Sequence, residues 1–187
     1  MKYLLAIIFL AGSVYFGYTA YNSVKEKLDF VRISEERTDD VVEKLELIRD
    51  AQLVYRENHG KYASSFDSLM ISIKTENINV FKKIGDPNDT TVVSRIDTIS
   101  VPIIDSLFKG DASKVAALTT VPHSESIKFE LEAGSITKNE LELPAFEVRT
   151  KYKNFFGGLN KRYYWQEANE YIKVGDITDG STAGNWK

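Results

Sequence analysis

The chain contains no cysteine. That removes disulfides, thiolate zinc sites and a cysteine nucleophile. It leaves the compartment open, because a cysteine-free chain suits periplasm and cytoplasm alike. Histidine is nearly absent too, with only His59 and His123. Neither sits at metal-ligand spacing, and no Gly-x-Ser-x-Gly, phosphate-binding glycine loop or His-Glu-x-x-His occurs. Basic residues are not in excess: the formal net charge is −3 with the signs well mixed, which argues against nucleic acid, since that partner needs a concentrated basic face. No catalytic, cofactor-binding or metal-ligating residue is assigned on these grounds, and a non-enzymatic protein is expected.

Charge is also missing from Tyr3 to Tyr21. As a helix those residues reach about 28 Å, close to the thickness of a bilayer's hydrocarbon core. Tyr3 at one end and Tyr15, Tyr18 and Tyr21 at the other suit the two interfaces, where a ring sits half-wet. Residues 1–21 are therefore expected to be a transmembrane anchor. A cleaved signal peptide is the competing reading. Ala11-Gly12-Ser13 offers small residues for cleavage but leaves only Tyr3 to Leu10 as an apolar core, and a cut after Ala20 puts the bulky Tyr18 three positions before it. Lys2 stands on one side of the run and Lys25 and Lys27 with Glu26 on the other, so charge sets orientation weakly. With one visible span and a long remainder, a single-pass protein is expected, its amino terminus inside and its globular part periplasmic or extracellular.

Neither Gly nor Pro interrupts the chain between Tyr18 and His59. Apolar residues recur there at helical spacing: Val24, Leu28 and Val31, then Val41, Leu45 and Ile48, then Ala51, Val54 and Tyr55. Residues 22–59 read as a long amphipathic stem helix ended by Gly60. Ser34-Glu35-Glu36 and Thr38-Asp39-Asp40 each either cap a fresh helix start at a kink or lie on the polar side of one rod. Between Asn22 and Asp40 the stem is polar with a thin apolar seam, too polar to bury itself against one small domain, so it is expected to pack on a partner, a copy of itself or the globular part.

Residues 60–187 read as a globular domain. Ser64-Ser65-Phe66-Asp67-Ser68-Leu69 with Met70, Ile71 and Ile73 reads as a short helix started by a serine cap and ended near Glu76. A hairpin of Ile78–Ile84 with Thr90–Val101 is then expected around the turn Asp86-Pro87-Asn88-Asp89. A helical turn over Ser113–Leu118 follows. A strand over Ser126–Ala133 and a turn over Gly134–Asn139 lead to a returning strand, Leu141–Tyr152, which Pro144 marks as an edge or a bulge. Leu159–Glu170 reads as helix and Tyr171–Val174 as a last strand. The fold class is α+β: a transmembrane helix continuing into a long amphipathic helix, then a mainly antiparallel sheet.

Functional candidates are few. His59 stands at a helix end, where it favours the dipole, and His123 has no motif partner. Asp86–Asp89 and Asp176–Gly180 hold oxygens but not the ligand count of a calcium loop. The acidic residues from Glu130 to Glu147 alternate onto a solvated strand face. Two features fit partners: the seam Val24, Leu28 and Val31, and the aromatic run Tyr163, Tyr164 and Trp165 beside Lys161 and Arg162, which also fits a core-filling role. These six residues form the candidate interaction surface.

The apolar helix running into an amphipathic one, with Ile48-Arg49-Asp50-Ala51-Gln52-Leu53-Val54-Tyr55-Arg56-Glu57-Asn58-His59-Gly60-Lys61-Tyr62 and a helix at Phe66–Leu69, resembles type IV pilins and type II secretion pseudopilins over about residues 3–70. The chain lacks that family's Gly-Phe cleavage point and the Glu inside the anchor. The whole chain also resembles uncharacterised membrane-anchored proteins of Bacteroidota, by Asp97-Thr98, Val101-Pro102, Asp105-Ser106-Leu107-Phe108, Pro144-Ala145-Phe146-Glu147-Val148 and Gly184-Asn185-Trp186. The first resemblance implies an envelope subunit that assembles with copies of itself or other envelope proteins; the second implies an anchor and no particular substrate. The alternative is an anchored ligand-binding or sensing ectodomain. Mass spectrometry of the membrane-extracted protein is expected to find the amino terminus intact, give or take Met1; a mature chain starting at Val14 or Tyr21 would sink the anchor.

Overall fold

In the computed structural model, residues 2–84, 95–138 and 140–186 are described, with side chains for all but 2, 5, 81–84 and 95–98. One helix, α1 (Lys2–His59), runs unbroken through both the uncharged run Tyr3–Tyr21 and the polar stretch after it. Ser34 and Thr38 start no new helix. Their hydroxyls donate back to the carbonyls of Val31 and Ser34, 2.9 and 2.7 Å away, and so stay inside the helical ladder. Gly60 ends α1 at φ +72, its N–H donating to the Arg56 carbonyl at 2.8 Å; a side chain there would strain the left-handed turn.

The second half of α1 is the spine of the core. Val41, Leu45 and Ile48 are fully buried at spacings of four and three, and Ala51 and Val54 extend the stripe. Gln52 is the polar member of that face and is fully buried. Its amide donates to the Ala63 carbonyl (3.0 Å) and accepts from the Ala63 N–H (2.9 Å), which straps the chain after Gly60 onto the helix. Helix α2 (Phe66–Thr75) follows, capped by the Ser65 hydroxyl and burying Leu69 and Ile73. Strands β1 (Asn77–Ile84) and β2 (Arg95–Pro102) pair as an antiparallel two-stranded sheet. The expected turn Asp86–Asp89, and Thr90 to Ser94 of the expected strand, lie outside the described residues. Helices α3 (Ile103–Phe108) and α4 (Ala112–Ala116) lead to β3 (Glu130–Lys138), β4 (Leu141–Lys151), α5 (Tyr152–Phe155) and β5 (Tyr171–Gly175).

The second sheet has the order β3-β4-β5, antiparallel throughout. Its inner face carries Phe146, Val148, Ile172 and Val174, all buried in one core with the α1 stripe. Strand β4 runs antiparallel to α1: Phe146 packs at a tilt against Tyr62 just past the helix end (4.6 Å), while Tyr152 and Phe156 lie near Phe30, Ser34 and Thr38. The sheet's outer face carries Glu147, Arg149 and Lys173, crossed by the tail after Gly175. Gly175 has φ +77, and an added Cβ would strike the Phe146 carbonyl.

The architecture is α+β with a long N-terminal helix and an antiparallel sheet. Several expectations are corrected. The strand expected over Ser126–Ala133 begins only at Glu130, because Ser126 takes φ +70 and breaks extension. The turn expected at Gly134–Asn139 is strand as far as Lys138, which pairs with Leu141. Pro144 lies in the middle strand of the sheet, yet the edge reading holds locally: β5 reaches β4 only from Glu147 onward, so no neighbour on that side misses the proline N–H. The helix expected over Leu159–Glu170 is only a 3₁₀ turn, Lys161–Tyr163. Consecutive rings of Tyr163 and Tyr164 both approach Phe30, whereas a helix would splay them about 100° apart. Helix α3 was not expected. The stem is not too polar to dock: from Phe30 onward it packs on the domain.

Among the described residues no helix is long and apolar enough to cross a membrane.

Replacing Ile48 by Asp is expected to destabilise the domain by more than about 3 kcal/mol, since an unpaired carboxylate would enter a fully buried site. Thermal unfolding measures this, and an unchanged Tm would mean the helix stands free of the domain.

Candidate interaction surface

From Phe30 onward α1 presents one face to the domain. Phe30, Ile33, Ser34 and Arg37 are half-buried and lead into buried Val41. Phe30 packs its ring against Phe156, Tyr163 and Tyr164 with centroids 6.2, 5.2 and 6.2 Å away. Aromatic pairs of this kind contribute about 0.5–1.5 kcal/mol each beyond burial. Arg37 crosses the same junction, its Nη1 donating to the carbonyls of Phe155 and Gly157, each at 2.8 Å. Lower on the helix, Glu26 accepts from the Asn160 side-chain amide at 2.7 Å, and Asn160 also caps the 3₁₀ turn by accepting from the Arg162 N–H. The loop after α5 is thus moored to α1 between Glu26 and Arg37.

The expected seam points elsewhere. At about 100° per residue, Val24, Leu28 and Val31 fall on the side of α1 roughly opposite Phe30, Ile33 and Arg37. They are 60%, 64% and 39% exposed. Nearer the amino terminus exposure extends round the whole helix: Leu4, Ile7, Ile8, Phe9, Leu10, Val14 and Phe16 are each more than half exposed. The six expected residues therefore do not converge. The seam lies on one side of α1 and the aromatic run on the other. Within the run Tyr164 is buried, Tyr163 half-buried and Trp165 66% exposed, so Tyr164 belongs to the core and only Trp165 is a free ring. The sequence carried no signal for this division, because it depends on which rings Phe30 meets.

Polar clusters elsewhere read as fasteners. Glu76 draws three partners: Asn58, Ser72 and His59, at 3.0, 2.8 and 3.0 Å. Burial pushes its carboxyl up, but those hydrogen bonds outweigh it and the net shift is down. Ser72 and His59 both end on the carboxylate, so the histidine does not stand between hydroxyl and acid as nucleophile activation needs. Among the described residues no hydroxyl is hydrogen-bonded to a histidine ring. His123 meets Asp40 at 2.6 Å beside Lys44, whose Nζ donates to the carbonyls of Ala117 and Thr120 after α4. Burial lowers the Lys44 pKa against the pull of Asp40. No group of three His, Asp or Glu able to hold a metal occurs among the described residues, and the Asp176–Gly180 turn is closed on itself: Thr178 donates to Asp176 from both its N–H and its hydroxyl.

On the sheet's outer face, buried Glu147 accepts from Arg149 Nη1 and Lys173 Nζ, both at 2.8 Å; Arg149 also reaches Glu130 and Lys173 reaches Asp176. The bonds to Glu130 and Glu147 raise the Arg149 pKa, and those to Asp176 and Glu147 raise that of Lys173. Asp176 is held well below the usual carboxylate range by Lys173 and Thr178. An open groove of about 580 Å³ lies past the end of α1, lined by Tyr55, Lys61, Tyr62, Ser64, Ser135 and Glu142 among others.

No protein-family model, curated protein or solved structure matches the chain.

The Lys173–Asp176 contact holds the tail turn to β5 and has a defined pH window. A depressed carboxylate contributes above about pH 4 and loses its contribution as pH falls through its folded pKa; a raised lysine contributes below about pH 10 and loses its contribution as pH rises through its own. Trp186 fluorescence in a W165F background is expected to stay constant between those limits and to change below about pH 4, and D176N is expected to abolish the acid change. A transition near neutral pH would contradict this assignment.

Proposed function

We propose that this chain is a non-enzymatic, single-pass, membrane-anchored subunit of an envelope assembly, laid out like a pilin or pseudopilin, with its domain on the periplasmic or extracellular side. One observation carries the reading: a single unbroken helix exposes apolar side chains on every side over its first turns and supplies the core stripe of the domain at its other end. A helix apolar all round needs apolar surroundings, and Tyr3–Tyr21 is uncharged over a bilayer's thickness. The carbon-rich seam Val24, Leu28 and Val31, turned away from the domain, is the surface through which neighbouring copies pack. Anchoring concentrates copies in two dimensions, so weak contacts suffice.

A second reading, an anchored ligand-binding or sensing ectodomain, draws on the 580 Å³ groove beyond α1. Its open form and mixed polar lining favour it less than the unbroken helix favours the first.

The test is crosslinking in membranes. The chain has no cysteine, so Lys27→Cys places a unique thiol beside Leu28. Crosslinked dimers are expected, and replacing Val24, Leu28 and Val31 together by Ser is expected to remove them while the domain melts as before. Crosslinks that persist in the triple variant, or never form in the parent, would reduce the stem to a spacer.

A further inference from the structure

We infer that the loop Gly157–Asn169 is a second membrane contact, which seats the domain on the anionic phospholipid surface beside the anchor. This rests on the anchor reading above and adds what the base of the domain does.

The argument begins with height along α1. Asn160 bonds Glu26, and Tyr163 and Tyr164 pack on Phe30. Glu26 is five residues past Tyr21, about 7.5 Å along the axis, and Phe30 nine residues, about 13.5 Å. The headgroup layer on each side of a bilayer is about 5–8 Å deep, and transmembrane helices tilt by about 20° on average. The loop is therefore held at the outer margin of the headgroups, within reach of long side chains.

The chemistry there suits that position. Trp165 is 66% exposed on a domain that buries its neighbour Tyr164, and it walls a groove of about 230 Å³ with Lys153, Lys161, Ala168 and Asn169. An indole with one apolar and one polar side is the ring favoured at the membrane interface, and lysines beside it reach phosphate oxygens while their stems stay apolar. Lys25, Lys27, Lys153, Lys161 and Arg162 all lie at this end. Of the acids nearby, Asp29 faces Arg32 at 3.6 Å, and Glu26, whose charge the Asn160 amide does not cancel, stands with Glu167 and Glu170 against these five cations; Glu35 and Asp39 lie further along α1, away from the Glu26 level. The balance favours an anionic surface. The loop's shape supports the same role: apart from the 3₁₀ turn Lys161–Tyr163 it is irregular, yet it is pinned at both ends, by Arg37 at Gly157 and by the Lys153 N–H on the Ala168 carbonyl. A pinned loop presents Trp165 without losing further freedom on contact.

The experiment uses the full chain in phosphatidylcholine vesicles with or without phosphatidylglycerol. In a W186F background Trp165 is the sole tryptophan. Its emission is expected to shift to the blue and to lose most of its intensity to lipids brominated near the headgroup. K161E/R162E is expected to weaken the contact on phosphatidylglycerol vesicles, by on the order of fivefold for each cation removed. As a check independent of the tryptophan change, a fluorophore on Gln166→Cys should be quenched by the same lipids, while one on Thr137→Cys, on the β3–β4 hairpin beyond the far end of α1, should not. Protein that fails to float with the vesicles would overturn the anchor and this proposal together. Protein that floats while Trp165 and the Gln166 label stay unquenched would overturn this proposal alone, as would a blue shift without bromolipid quenching, which would mean that another protein surface covers the ring.

Discussion

The whole molecule depends on the continuity of α1. A single hydrogen-bonded ladder carries both the exposed apolar segment and the stripe Val41, Leu45 and Ile48, so the domain is built onto the rod and cannot rotate against it at a flexible joint. No Gly or Pro between Tyr18 and His59 breaks that continuity. Ser13, Thr19, Ser34 and Thr38 turn their hydroxyls back onto carbonyls of the preceding turn and start no new helix. An isolated helix this polar in its middle would be marginal in water; tertiary contacts from Phe30 onward stabilise it.

The contacts that close the domain on the rod fall at three heights. At the far end, Gln52 straps the chain at Ala63, and Asn58 and His59 hold Glu76 at the end of α2. In the middle, the inner face of the three-stranded sheet covers the apolar stripe. At the near end, Phe30 and Arg37 take the aromatic loop after α5. Each junction joins residues far apart in sequence, and two of them use backbone carbonyls as acceptors. Side-chain identity on the loop side is therefore less constrained there than the loop's path. The outer sheet face is treated differently: charges that would be costly if buried alone are paired as Glu130–Arg149–Glu147–Lys173–Asp176, with the tail laid across them.

This distribution explains where interaction is left to occur. Among the described residues every buried polar side chain has a partner, and both histidines join elements, His59 to Glu76 and His123 to Asp40. Exposed apolar side chains stand along the lower part of α1, in its first turns and at Val24, Leu28 and Val31, and at Trp165 on the loop beside it; others, Ile71, Leu141 and Leu143 among them, lie elsewhere on the domain. Contiguous exposed apolar surface is where association with lipid or with other helices is favoured.

The sequence by itself determined the elements whose signals are local. Periodicity placed the α1 stripe, Gly60 its end, Ser65 the start of α2, and alternation the β1–β2 pair and β5, because spacing, caps and φ preference act within a few residues. Tertiary structure decided what depended on a distant partner. Ser34 and Thr38 had the chemistry of caps, and only packing from Phe30 onward made them interior positions of one helix. Gly134 looked like a turn and became strand because β4 offered it a ladder. Tyr163, Tyr164 and Trp165 are chemically alike in sequence; Phe30, more than a hundred positions away, meets the first two, Phe156 packs on Tyr164 as well, and the third stays exposed. Pro144 was legible as an edge residue, but that β4 is a middle strand elsewhere along its length followed from where β5 stops. A side chain's environment is set by what the chain brings back to it, and no local rule contains that information.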